Sequence, residues 1–313
     1  YFMKKIVVVM GGPSTEAEVS RRSGKAILHA LLEKGYQAEA LELDPPNFPQ
    51  QIKASGADFV FNALHGKYGE DGIIQGTLDM MGIPYTSSGV MAAAVTMDKV
   101  ATKRFFMAEG IPTPRAHTYF RFEYSKRNLA QEIIEEFGVP VVVKASSQGS
   151  SIGVVIVEQP EELEAALEEA FKYDHEILVE EFIKGRELTV AVWGNEEHQE
   201  ALPIIEITTV TGRYDYETKY KAGASAHIIP APLPAEVSKA VENIAIRAFA
   251  VCGCVGMARV DFMLDELNEP YAIEINTVPG MTETSLVPDA GRAAGIQFPD
   301  LCAKILAMAG YRD

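Results

Sequence analysis

The segment Lys5-Ile6-Val7-Val8-Val9-Met10 constrains this chain most, because it is a β-branched apolar run closed by Gly11-Gly12-Pro13. A stretch that is apolar on both faces must be covered on both, which is the situation of a strand in a parallel sheet flanked by helices. Helical periodicity over 14–34 follows at once, and strand-like segments at 38–43 and 59–63 continue a βα rhythm. A helix predicted over 90–109 ends at Gly110, after which Pro112 and Pro114 force an extended connection. The first boundary is placed around this helix, giving an N-terminal βα unit over 3–97.

A central unit over 98–185 reads as helix 131–137, strand 140–144, a small-residue loop 146–153, strand 154–157, an acidic helix 160–173 and strand 176–183, with Gly185 at its end. The remaining unit, 186–313, opens with antiparallel strands at 187–193 and 201–207. Residues 208–234 lack apolar periodicity and are too long for an ordinary connection, and their Tyr214, Tyr216, Lys219, Tyr220 and Lys221 read as a lid. A helix at 235–251, strands at 257–264 and 271–276 and a closing helix at 298–309 complete it. The fold class is α/β, turning α+β in the C-terminal part.

Against 28 Lys plus Arg stand 44 Asp plus Glu, a formal net charge of −16. That balance argues against a nucleic-acid partner, which needs a broad basic face, and against a basic membrane anchor. No apolar run approaches the roughly 18–20 residues that cross a bilayer, and the run after Lys4-Lys5 is too short for a secretory segment. Tyr1 and Phe2 precede a plausible initiator, Met3. Cys252, Cys254 and Cys302 cannot make a disulfide framework, and the single-residue spacer of Cys252-Gly253-Cys254 suits packing rather than redox or zinc chemistry. A cytoplasmic location is expected.

Chemistry concentrates near the C-terminus, in Ala258-Arg259-Val260-Asp261-Phe262 and Tyr271-Ala272-Ile273-Glu274-Ile275-Asn276. If Leu264 pairs with Tyr271, Asp261 lies opposite Glu274, and Arg259 and Asn276 share their face. Opposed like charges destabilise a sheet, so two carboxylates and an amide in an apolar hairpin call for a cation. Oxygen ligands suit Mg²⁺ shared with nucleotide phosphates; an exposed edge hairpin with scattered acids is the plainer alternative. Lys144 before Ser146-Ser147-Gln148-Gly149-Ser150-Ser151-Ile152-Gly153 is either a β-turn or a loop that offers N–H groups to phosphate; it is not a Walker loop. Glu180-Glu181-Phe182-Ile183-Lys184-Gly185-Arg186-Glu187, at a unit boundary, is either an acidic linker or a reader of adenine and ribose. His65 before a glycine is a turn residue unless context says otherwise.

Taken together, these segments closely resemble the D-alanine–D-alanine ligases of the ATP-grasp superfamily. The resemblance runs through residues 11–20, His65-Gly66-Lys67-Tyr68-Gly69-Glu70-Asp71-Gly72, Met97-Asp98-Lys99, 149–153, 214–220, Arg259-Val260-Asp261-Phe262 and Glu274-Ile275-Asn276-Thr277-Val278-Pro279-Gly280-Met281-Thr282. Ala145 stands where proline is usual, and Gln148 where glutamate is common. The resemblance implies a three-domain ATP-grasp architecture and ligation of two D-alanines through an acyl phosphate, with ATP and two Mg²⁺ or Mn²⁺. It implies metal ligation by Asp261, Glu274 and Asn276, and nucleotide contacts from Lys99, Lys144, Ser150, Ser151, Glu180, Glu181, Phe182, Ile183, Glu187 and Lys219. Substrate contacts fall to Glu16, His65, Arg259, Gly280, Ser285 and Leu286. Arg259 and the Gly280 N–H are the implied oxyanion donors, while Tyr220, Ser150 and Glu16 would close the site. Tyr220 favours a dipeptide over D-alanyl-D-lactate. Another ATP-grasp carboxylate–amine ligase is the alternative, and a homodimer through the N-terminal domain is implied.

Overall fold

The structure, a computed structural model, describes residues 4–149, 151–209 and 225–310. Strand β1 (Lys5–Met10) is buried along nearly its whole length, as its double-faced apolar run requires. It pairs in parallel with β2 (Gln37–Glu42) and β3 (Phe59–Asn62), in the order β2-β1-β3. Helix α1 (Ala17–Glu33) buries Ile27, Ala30 and Leu31 against this sheet. Gly24 permits the close approach, since a Cβ there would lie 2.7 Å from the Met10 side chain. Helices α2 (Phe48–Ser55) and α3 (Ile73–Met81) fall in stretches to which the sequence pattern assigns no element.

The helix predicted over 90–109 is two helices, α4 (Val90–Met97) and α5 (Lys99–Ala108). Asp98 divides them: at φ −90°, ψ 108° it is extended, and its carboxylate accepts from the Ala101 N–H. An aspartate competes with the helix for local hydrogen bonds and favours a fresh N-cap. Lys99 thereby becomes the first residue of a helix.

Beyond it β4 (Ala116–Phe120), β5 (Val141–Ala145), β6 (Val154–Val157) and β7 (Glu176–Glu181) form an antiparallel sheet in the order β4-β7-β5-β6. Helices α6 (Arg121–Tyr124), α7 (Leu129–Phe137) and α8 (Leu163–Tyr173) accompany it. The third sheet contains β8 (Gly185–Gly194), β9 (Gln199–Ala201), β10 (Ile205–Thr209), β11 (Ser225–Ile228), β12 (Gly256–Asp265) and β13 (Pro270–Asn276). The single strand expected over 201–207 is divided between β9 and β10 by Leu202-Pro203-Ile204, where Pro203 has no N–H for a ladder. Helix α9 (Ala235–Val251) covers this sheet; α10 (Leu286–Ala293) and α11 (Phe298–Ala307) return to the N-terminal one. Their Leu286, Val287, Leu301 and Ile305 share one apolar core with Ile6, Val8, Ile27 and Leu31. The chain's two ends thus form one packed body, and its cleft holds the polar residues singled out above.

Cys252, Cys254 and Cys302 are all buried free thiols, and burial pushes Cys252 and Cys302 up to about 12. Such thiols are inert packing groups. Among the described residues no helix is long and apolar enough to cross a membrane.

Candidate active site

The cleft is walled by the end of α1, the loop after β3, the loop after β5 and the β12–β13 hairpin with its following turn. In the hairpin Asp261 faces Glu274 and Arg259 faces Asn276. The pairing of Leu264 with Tyr271 expected above does not occur: Leu264 meets Pro270, and a bulge between Asp261 and Phe262 absorbs the one-residue shift. The polar residues lie on the open side of that bulge, so their shared face survives it.

Asp261 is almost wholly buried and fully engaged. Arg259 forks onto it, Nε to Oδ1 at 2.8 Å and a terminal nitrogen to Oδ2 at 2.7 Å. Asn276 donates to Oδ2 at 3.1 Å, and Thr189, opposite on β8, donates to Oδ1 at 2.5 Å. Glu187, two residues before Thr189 on β8, belongs to the same sheet face. Glu274 sits 3.8 Å from the Lys99 ammonium. Among the described residues no three His, Cys, Asp or Glu side chains gather around one point. Two opposed carboxylates and an amide remain, a hard oxygen set that fits Mg²⁺ or Mn²⁺.

Lys99 also donates to the Gln148 carbonyl at 2.5 Å, while its own N–H bonds to Ser146. Asp98 accepts from the Ser146 hydroxyl at 2.8 Å, so the helix break pins the start of the small-residue loop. In that loop Ser151 takes φ 61° and Gly153 φ 68°, left-handed backbone that closes two tight turns, with the Ile152 and Val154 N–H groups bonded to the Gly149 and Ser151 carbonyls. A Cβ on Gly149 would come within 2.9 Å of the Glu16 carboxylate, so a side chain there would displace that group.

Lys144, buried on β5, is ion-paired to Glu180. Lys103, one helical turn beyond Lys99 on α5, reaches the other oxygen of Glu180 at 2.6 Å and also donates to Thr113 and the Pro114 carbonyl. Burial would raise the Glu180 carboxyl, but Lys144 and Lys103 outweigh it and hold it below the usual carboxylate range. Glu181 turns instead to the Arg115 N–H at 2.7 Å, and Phe182 and Ile183 continue the strand end, half-buried.

On the opposite wall Glu16 is 8 % exposed at the start of α1. His65 Nδ1 lies 2.9 Å from the Val278 carbonyl, an acceptor only, so that nitrogen carries the proton. Nε2 lies 3.2 Å from the Ser23 hydroxyl, and burial holds the imidazole below its ordinary range. A neutral ring bonded at both nitrogens results. Gly280 has a Cβ direction ending 3.0 Å from the Ser285 hydroxyl, and Ser285 in turn accepts from the Thr282 N–H at 3.0 Å. Ser285 and Leu286 form the N-terminus of α10, whose free N–H groups and dipole favour a carboxylate.

Ser150, Lys219, Tyr220 and the other lid residues 214, 216 and 221 lie outside the described residues. Ser23, Glu70, Lys103 and Thr189 are polar partners of the cleft that the sequence reading did not single out. For Lys103 a signal existed: its i+4 spacing from Lys99 puts both lysines on one helix face.

A family model described as D-ala D-ala ligase C-terminus matches residues 105–307, and one described as D-ala D-ala ligase N-terminus matches 44–88. The D-alanine–D-alanine ligase of Moorella thermoacetica is 50% identical over 307 residues, 97% of this chain and 99% of that protein. That of Desulforamulus reducens is 48% identical over 309 residues, 97% and 98% of the two chains. The crystal structure of the Bacillus anthracis D-alanine–D-alanine ligase complexed with ATP superposes with a TM-score of 0.84 at 34% identity, covering 98% of this chain and 97% of that one. Cleft, three-sheet architecture and sequence agree, and the chain belongs to the D-alanine–D-alanine ligase family.

Proposed function

We propose that this chain joins two D-alanine molecules to D-alanyl-D-alanine, consuming ATP through an acyl phosphate, as a step of peptidoglycan synthesis. One observation carries the reading. A single cleft brings Glu16, Arg259, Gly280 and Ser285 together with Lys99 and Glu274, so amino-acid and phosphate chemistry share one space.

In the first step a carboxylate oxygen of one D-alanine bonds to the γ-phosphorus as the bond to ADP breaks. In the second, the neutral amine of the other D-alanine bonds to the carbonyl carbon, phosphate leaves with the bridging oxygen, and the nitrogen gives up one proton to the departing phosphate or to solvent and keeps one as the amide N–H. Phosphoryl transfer needs alignment and charge neutralisation more than covalent help. Lys99 and Lys144 supply cations beside the triphosphate, and backbone N–H groups near Ser151 cover its end. Glu180, Glu181, Phe182, Ile183 and Glu187 border the adenosine side. Glu180 would serve there while also neutralising two lysines. Ser150, Lys219 and Tyr220 take their lid roles from the resemblance alone.

Glu16 takes the first ammonium, with His65 beside it. The Ser285 hydroxyl and the N–H of Leu286 take the second carboxylate. The Arg259 guanidinium and the Gly280 N–H face the oxygen on which negative charge grows, and a planar fork suits that task. Asp261, Glu274 and Asn276 would hold two Mg²⁺ or Mn²⁺; when bound, these neutralise the phosphates. Asp261 already holds Arg259 and Asn276, so a cation on it competes with both.

The same reading covers organisation: units at 3–97, 98–185 and 186–313, a cytoplasmic enzyme, and a homodimer. Ile73, Met80, Val90 and Met91 are exposed by 51%, 92%, 41% and 58% on the adjacent helices α3 and α4, an apolar face that a second copy would cover. Sedimentation equilibrium of the parent and of Met80→Glu tests it. The activity is tested by ADP release at neutral pH with D-alanine, L-alanine and D-lactate. Release with D-alanine alone is expected, and none from protein that binds ATP would overturn the reading.

A further inference from the structure

Three side chains of the N-terminal unit grip the backbone on both sides of Gly280. The Val278 N–H donates to Glu70 Oε1 at 3.3 Å, and the Val278 carbonyl accepts from His65 Nδ1 at 2.9 Å. Three residues on, the Met281 N–H donates to the Ser23 hydroxyl at 3.2 Å, and that hydroxyl bridges to His65 Nε2. The second oxygen of Glu70 takes the Gly66 N–H at 2.7 Å, which ties the histidine's own loop to the same carboxylate.

Between the two anchored residues lie only Pro279 and Gly280. Proline fixes its own φ and has no N–H. Glycine, by contrast, is the residue with most backbone freedom, and nothing in its side chain can aim its N–H. With Val278 and Met281 held, few torsions remain to set that direction. Ser285 closes the last side, since its hydroxyl lies 3.0 Å from where a Gly280 Cβ would be.

We infer that Glu70, with His65 and Ser23, is a positioning residue that aims the Gly280 N–H at the oxyanion of the ligation. This rests on the function proposed above. Glu70 acts through the backbone, and its side chain suits the task for a specific reason. Two N–H donors reach it at once, one at each oxygen: a carboxylate accepts both fully, and with its proton on, the hydroxyl oxygen is still an acceptor, though the weaker one. Glutamine offers one acceptor and turns an NH₂ toward the other donor; alanine offers none. A donor displaced by about an ångström loses up to about a hundredfold in rate.

The test compares Glu70→Gln, Glu70→Ala and Ser23→Ala with the parent, by steady-state kinetics and by amide hydrogen exchange. The expected kcat falls about tenfold for Glu70→Gln and toward a hundredfold for Glu70→Ala, with the KM for ATP within about twofold of the parent. Exchange at Val278 should quicken in both Glu70 variants, and exchange at Met281 in Ser23→Ala with a smaller loss of kcat. A kcat for Glu70→Ala within about twofold of the parent overturns the inference, as does unchanged exchange at Val278. Should the Glu70 variants fail to fold, Ser23→Ala decides alone: parental kcat with faster exchange at Met281 counts against aiming. If the parent releases no ADP with D-alanine, the ligase reading falls instead. The exchange measurement needs no turnover and still tests the grip.

Discussion

Glu180, on the central sheet, and Glu70, in the cleft wall, are two carboxylates drawn into the protein, and they titrate in opposite directions. Burial raises both. On the side proposed for the nucleotide, Glu180 meets Lys144 and Lys103, and the two cations carry it below the usual range. On the side proposed for the amino acids, burial pushes Glu70 up to about 8, with Glu16 adding to the rise, and its backbone donors and Arg259 offset only part. The contrast assigns different work to the two walls. Around Glu180 two buried ammonium groups share one carboxylate, and Lys103 also has Thr113 and the Pro114 carbonyl as acceptors. Among the described residues the charges acting on Glu70 are those of Glu16 and Arg259, and the ammonium proposed for Glu16 would meet this wall.

Glu274 stands between the two regions, partly open and 3.8 Å from Lys99. Its replacement should be the most damaging to function. Glu274→Gln keeps the side chain's shape and removes the charge that would hold a divalent cation, so turnover should fall by about a thousandfold or more with the thermal midpoint little changed. Retained turnover would remove the metal assignment and leave the nucleotide wall without a function. Next in size is Glu180→Ala, which leaves Lys103 and Lys144 facing each other in a buried place. Removing one partner of such a group costs about 3–5 kcal/mol, a fall in melting temperature on the order of 10 °C for a chain of this length. Adding Lys103→Met should recover part of that loss. A neutral Glu180→Ala would mean that the pair is solvated, and the contrast between the walls would lose one side.

Local rules made much of this fold legible. Residues 5–10 and 235–251 coincide with β1 and α9 because each has a clean period and a clear stop in Gly11 and Gly253. Asp98 and Pro203 broke elements that apolar pattern alone would have run together, and both breaks have a local cause that a closer reading could weigh. Strand parity puts Arg259 with Asp261 and Glu274 with Asn276, but the opposition of Asp261 and Glu274 rests on a Leu264–Tyr271 pairing that does not form, and it holds because the bulge after Asp261 restores the register. What stayed hidden depends on contacts distant in sequence. Glu70 and Val278 are 208 positions apart and meet only because α10 and α11 fold back on the N-terminal sheet. Lys103 and Glu180 likewise meet across a helix and a sheet that no period relates.

The smallest expected effect bears on the other wall, and its sign follows from linkage. In the unfolded chain Glu70 loses its proton near 4.5; in the folded protein it keeps it to about 8. Between those values the folded state binds the extra proton, so stability falls as pH rises. The favourable contribution is complete below about pH 4.5 and gone once pH has passed through 8. The slope is at most about 1.4 kcal/mol per pH unit for one group, so pH 6 and pH 8 should differ by up to about 2 kcal/mol. Glu16 and Arg259 face the same group and are common to parent and variant, as is His65, which shares those two neighbours. Urea midpoints of the parent and of Glu70→Gln at pH 6, 7 and 8 therefore isolate Glu70. The variant is less stable at pH 6 through its lost hydrogen bond, and the gap should narrow steadily toward pH 8. A gap independent of pH would mean that Glu70 is ionised throughout, with a cation nearby doing for it what Lys144 and Lys103 do for Glu180.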